Sequence, residues 1–130
     1  YRHTSLQDGG DAVMRATLKL RKGQKEMSEE QIKIVNAIRR GKQPAGLCAG
    51  SFFKNPPSSK GEKSAGYLID QVSMKGAHEG DAQISPKHGN FFMNTGSATS
   101  AQIMTLADKA KKLVKEKFGI ELEMEVKIIC

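Results

Sequence analysis

At Gly119 the spacing of apolar residues changes from helical to extended, and that switch constrains the fold more than any other feature of the chain. Upstream, Ile103, Leu106, Ala107, Ala110, Leu113 and Val114 fall on one stripe of a helix over residues 100–117. Phe118 and Gly119 stop it, because glycine accepts the left-handed conformation in which helices commonly end. Downstream, residues 121–129 alternate: Leu122, Met124, Val126 and Ile128 face one way, and Glu121, Glu123, Glu125 and Lys127 the other. That period of two predicts a half-buried strand. A helix stripe and a strand face, both needing cover within 130 residues, imply a compact domain with one modest core.

The remaining elements are shorter. Residues 11–21 alternate, with Val13, Arg15, Thr17 and Lys19 opposite Met14, Ala16, Leu18 and Leu20, and predict another half-buried strand. Ser28 with Gln31 three residues on has the form of a capping box. The helix it would open carries Gln31, Ile34, Val35 and Ile38, and Gly41 and Pro44 end it. Residues 41–66 are rich in Gly, Pro, Ser and Lys and read as a long ordered loop, of the length that is usually functional. A short helix over 65–74, closed by Gly76, and two short strands near 81–85 and 90–94 complete the order. The class is α+β, a small mixed sheet packed by helices.

Charge narrows the partners without choosing one. The net charge of +7 suits an anion, either a nucleic acid or a small phosphorylated ligand. Only 5% of residues are aromatic and none is Trp, which weighs against RNA recognition by base stacking. The run Lys109, Lys111, Lys112, Lys115 and Lys117 reads as a solvated helix face. No apolar run approaches the roughly 20 residues that cross a bilayer. Two cysteines, Cys48 and Cys130, make no disulfide framework and read as reduced thiols of a cytoplasmic protein. His3, His78 and His88 lack metal-ligand spacing. No Gly-x-Gly-x-x-Gly or Walker pattern offers a nucleotide cradle. Ser51 in a loop and Asn55 before Pro56 read as turn chemistry, and Glu125 as an exposed strand residue. Composition and spacing end at a basic α+β domain.

Several stretches together go further. They are Tyr1-Arg2 with Leu6, Ala49-Gly50-Ser51-Phe52-Phe53-Lys54-Asn55-Pro56, and Ala65-Gly66-Tyr67-Leu68-Ile69-Asp70-Gln71. Lys75-Gly76, Ser85-Pro86-Lys87-His88-Gly89-Asn90-Phe91 and Phe118-Gly119-Ile120-Glu121-Leu122-Glu123-Met124-Glu125-Val126 follow. In order and spacing they resemble the C-terminal part of the UDP-N-acetylenolpyruvoylglucosamine reductase family from end to end. The short gap between Arg2 and Ser51 resembles the subtype that lacks an inserted tyrosine-bearing loop.

The resemblance implies a flavoenzyme with FAD and NADPH that reduces UDP-N-acetylglucosamine enolpyruvate to UDP-N-acetylmuramate for peptidoglycan synthesis. Ser51 would be the general acid that protonates the substrate carbon. Arg2 and Glu125 would flank the substrate carboxylate, Glu125 needing a proton or a hydrogen-bond partner so as not to repel it. Lys42 would meet the diphosphate, and Asn55 and His88 would be substrate-binding. Cys130 stands where the family commonly has glycine, with no catalytic consequence expected.

The family's flavin-binding region lies N-terminal to the stretches seen here. The chain therefore reads as a piece of a longer enzyme, expected to bind no FAD and turn nothing over alone. Residues 1–40 would end the FAD-binding lobe, 41–119 form the substrate-binding domain, and 120–130 return as a strand to the first lobe. The partners implied are the substrate and the remainder of the same enzyme, with neither membrane nor nucleic acid. A nucleic-acid-binding module and a non-catalytic interaction domain are the alternatives.

Overall fold

The computed structural model describes Thr4, Leu6 and residues 12–57 and 63–129. Two compact units divide the chain, residues 1–33 and 34–130. In the first, described residues 12–24 form neither helix nor strand, and Val13, Met14, Leu18 and Leu20 are exposed. The strand expected at 11–21 is thus not formed among the described residues. Alternation supplies a face, but a strand also needs a backbone partner, and no described strand pairs with this segment.

Helix α1 (Lys25–Lys42) begins earlier than its sequence suggests. Ser28 lies inside it, where its hydroxyl donates back to the Gln24 carbonyl at 3.0 Å rather than capping the end. The expected Ser28 capping box is therefore absent. No residue of α1 is buried, and no described helix is long and apolar enough to cross a membrane.

The second unit holds the core. Strands β1 (Leu47–Ser51), β2 (His78–Glu79), β3 (Ala82–Ile84) and β4 (Phe91–Asn94) form one sheet in the order β1-β4-β3-β2. Every pairing is antiparallel, so the α+β class holds while the expected mixed sheet does not. Short connections between successive strands β2 and β3, and β3 and β4, produce that arrangement. Helix α2 (Ala65–Gln71) is shorter than the sequence reading, since Ser73 turns to a φ of +56°.

Helix α3 (Ser100–Phe118) packs on β2 and β3. Thr99 caps it in a true capping box with Gln102, and Gly119 ends it at a φ of +68°. Leu106, Ala107, Ala110 and Val114 of the stripe are buried and join Phe52, Phe53, Leu68, Ile69, Ile84, Phe92 and Leu122 in one core, with Ile103 packed against it, whereas Leu113 is exposed.

The last segment departs most from a regular strand. Its alternation survives as far as Lys127, with Leu122 buried, Met124 and Val126 packed on the core, and Glu121, Glu123 and Lys127 exposed, but Ile128, expected on the inward face, is exposed. Its sheet contact is a single antiparallel bridge between Phe53 and Met124. The partner segment runs into Pro56 and Pro57, which have no N–H to extend a ladder.

Candidate functional site

β1 was not visible in the sequence, yet it carries Ser51. Its register with β4 pairs Cys48 with Met93 and Ser51 with Phe91, so β1 has one residue more than its partner over that interval. This is a β-bulge, and Gly50 within it has a φ of +84°. A side chain would be strained there, which explains the glycine just before Ser51. A β-carbon on Gly50 would meet nothing within 4 Å, and Ser51 is exposed, so the surface here is open.

Behind Ser51 the chain is anchored by rings. Phe52 and Phe53 are both buried, and Phe52 stacks on Phe92 with centroids 4.3 Å apart. Phe53 meets both edge-on, at 5.1 Å and 5.8 Å. Each such ring contributes about 1.5–3 kcal/mol through burial, enough to fix the segment firmly.

Main-chain bonds then bring Glu125 alongside. Lys54 N–H donates to the Glu123 carbonyl and Glu125 N–H to the Phe52 carbonyl, each at 2.8 Å. Glu125 is thereby tied to the residue next to Ser51. Lys54 and Glu123 also form an ion pair across the same two segments. Asn55 turns its side-chain oxygen to the Ala65 N–H at 3.0 Å, joining this loop to the start of α2.

His88 sits on the turn before β4, shaped by Ser85, whose buried hydroxyl accepts from Lys87 N–H at 3.1 Å and His88 N–H at 3.3 Å. The imidazole meets Phe91 edge-on at 4.8 Å, and its Nδ1 accepts from Asn90 N–H at 3.2 Å. That leaves the proton of the neutral ring on Nε2. Burial, reinforced by the nearby Lys75 charge, holds the His88 pKa below its ordinary value, against a main-chain hydrogen bond that acts to raise it.

Lys42 ends α1 and is exposed. The Lys87 ammonium donates to the Arg40 carbonyl at 2.5 Å, so the helix end that carries Lys42 is tethered to the turn that carries His88. Arg2 lies outside the described residues, as does Cys130, whereas Cys48 is exposed on β1. The lysines of α3 partly serve the fold: Lys109 pairs with Glu79, Lys115 with Glu121, and Lys117 donates to the Gln71 carbonyl.

The sequence reading missed Asn90. It is buried, and its side chain bonds both main-chain groups of Phe53. Its place in the Ser85–Phe91 stretch was the available signal, though nothing there distinguished it from a turn asparagine.

Fold and site define a small antiparallel α+β domain that presents polar residues at an open sheet edge, braced from behind by aromatic rings. Residues 43–129 match the model of the UDP-N-acetylenolpyruvoylglucosamine reductase C-terminal domain. The chain is 44% identical over 135 residues to the UDP-N-acetylenolpyruvoylglucosamine reductase of Chloroherpeton thalassium, covering 99% of this chain and 43% of that protein. Against the reductase of Heliobacterium modesticaldum it is 42% identical over 130 residues, covering 99% of this chain and 40% of that one. The crystal structure of the UDP-N-acetylenolpyruvylglucosamine reductase from Thermus caldophilus superposes with a TM-score of 0.67 at 40% identity, over 85% of this chain and 38% of that one. The chain belongs to the UDP-N-acetylenolpyruvoylglucosamine reductase family, as its C-terminal region. It spans about two fifths of the length of these curated relatives.

Proposed function

We propose that this chain is the substrate-side part of a cytoplasmic enzyme that reduces UDP-N-acetylglucosamine enolpyruvate to UDP-N-acetylmuramate, of the subtype without the inserted tyrosine loop. The observation that carries this reading is the tie from Glu125 N–H to the carbonyl of Phe52, beside an exposed Ser51. Through that tie Glu125 follows the residue next to Ser51, and both are exposed, which suits an acid and a charge-stabilising group acting on the same substrate.

FAD, once bound and reduced by NADPH, would supply the hydride to the enolpyruvyl double bond. The open surface over Gly50 and Ser51 fits an edge facing substrate and flavin, since no atom stands where a β-carbon of Gly50 would point. No residue of this chain is assigned to the FAD phosphates, because the sequence carries no glycine-rich cradle.

Ser51 donates its proton to the substrate carbon left electron-rich. Serine is a weak acid, but a carbanion is a strong base, so alignment is what the transfer needs. Arg2 and Glu125 flank the substrate carboxylate, with Arg2 as a fixed cation and Glu125 contributing through a proton or a hydrogen-bond partner, without which it would repel the charge. Lys42 meets the diphosphate, while the amide NH₂ of Asn55 and the Nε2–H of His88 offer donors to the substrate. The 1–40, 41–119 and 120–130 division describes how the chain serves the two lobes. A separate 130-residue piece is inactive on this reading.

The test is NADPH oxidation by the complete protein holding FAD. Oxidation that depends on UDP-N-acetylglucosamine enolpyruvate supports the reading; a flavin-loaded protein that shows none contradicts it.

A further inference from the structure

Two main-chain bonds meet at Phe52, the residue after Ser51, and a third bond extends them through Asn90 to His88. Phe52 N–H donates to the Asn90 carbonyl at 2.9 Å, and Asn90 N–H donates to His88 Nδ1 at 3.2 Å. On the other side, the Phe52 carbonyl accepts from Glu125 N–H at 2.8 Å. His88, Asn90, Phe52 and Glu125 therefore form a continuous hydrogen-bonded row that runs through the residue next to Ser51.

The Asn90 side chain closes that row. Its Oδ1 accepts from Phe53 N–H at 2.9 Å, and its Nδ2 donates to the Phe53 carbonyl at 2.8 Å. These are the two bonds a neighbouring strand would make. They occur just past the bulge, where β1 stops pairing with β4. A side-chain amide has replaced the ladder, and with 3% exposure it has no water to take its place.

We infer that Asn90 is a positioning residue for the Ser51 hydroxyl, acting through the main chain of Phe52 and Phe53 rather than by touching substrate. The inference rests on the proposed role of Ser51. The main-chain bonds of Phe52 and Lys54 hold the segment on either side of Phe53. The two-point amide contact holds both main-chain groups of Phe53 itself, and so keeps the strand in line just past Ser51. A general acid displaced by about 1 Å loses on the order of 100-fold in rate.

The experiment separates the half-reactions in the complete, flavin-loaded enzyme. Asn90→Ala should slow reoxidation of reduced flavin by UDP-N-acetylglucosamine enolpyruvate about 100-fold. Flavin reduction by NADPH should stay within about twofold of wild type on the same scale. Asn90→Ser, also too short to make both contacts, should behave alike and serves should Asn90→Ala lose its flavin. Ser51→Ala is the control. If that control leaves reoxidation unchanged, the reading of Ser51 falls and this inference falls with it. If Ser51→Ala blocks reoxidation while both Asn90 variants match wild type, only the positioning role is overturned. Equal slowing of both half-reactions, or loss of flavin from both variants, makes Asn90 a folding residue and overturns that role too.

Discussion

Gly89 packs so tightly on Gly66 that a β-carbon on Gly89 would stand 2.6 Å from the Gly66 carbonyl oxygen. The same β-carbon would lie 3.3 Å from both Asp70 N and Ile69 Cβ. The turn bearing His88 is thus seated on the main chain of α2, with no flexible side chain between them to yield. Gly89→Ala is expected to destabilise the domain by about 1–3 kcal/mol, as overpacking does. Urea denaturation checks it: the midpoint should fall without a change in slope.

His88 makes the stability of this unit pH-dependent. Its pKa is lowered by burial and by Lys75, so as pH falls the unfolded histidine takes up its proton first. The contribution is complete above about pH 6.5, the ordinary value for histidine, and is lost as pH falls toward the lowered folded value. Protonation at Nδ1 would also displace the Asn90 N–H. Melting temperatures across that window should decline in wild type and decline less in His88→Gln.

Asn55 has one end engaged in the fold and one proposed for the substrate. Its oxygen accepts from the Ala65 N–H, and Ala65 is fully buried, so Asn55→Ala leaves that donor without its partner and should cost about 1–3 kcal/mol. Asn55→Asp keeps the acceptor and loses the amide donor. It should retain most of the stability while raising KM for the substrate in the complete enzyme. Denaturation and steady-state kinetics on the two variants separate these roles.

Much of this was legible because some residues specify structure locally. The stripe from Ile103 to Val114 and the stop at Gly119 could be read directly, and α3 follows both. Similar patterns misled elsewhere. Ser28 and Gln31 have the spacing of a capping box, as do Thr99 and Gln102, but only the second pair caps a helix. Ser28 instead falls in the second turn of α1, and the main chain before it, not the pattern, decides where the helix starts. β1 was hidden because Leu-Cys-Ala-Gly-Ser has neither alternation nor many β-branched residues; pairing with the buried β4 makes it a strand. Residues 12–21 failed the other way, having alternation without a described partner.

The candidate site is proposed only through resemblance. Nothing local marks Ser51 or Glu125 as more than surface residues, because what joins them is the long-range tie between Phe52 and Glu125. Asn90 carries no local mark either, since an asparagine bonding a distant main chain reads the same as one in a turn.

The role of Ser51 is tested most directly by Ser51→Ala in the complete, flavin-loaded enzyme, followed by stopped-flow absorbance of the flavin. NADPH should bleach it at the wild-type rate, and adding UDP-N-acetylglucosamine enolpyruvate should then fail to restore the oxidised spectrum with product formation. Restoration at the wild-type rate, with UDP-N-acetylmuramate formed, would contradict the account.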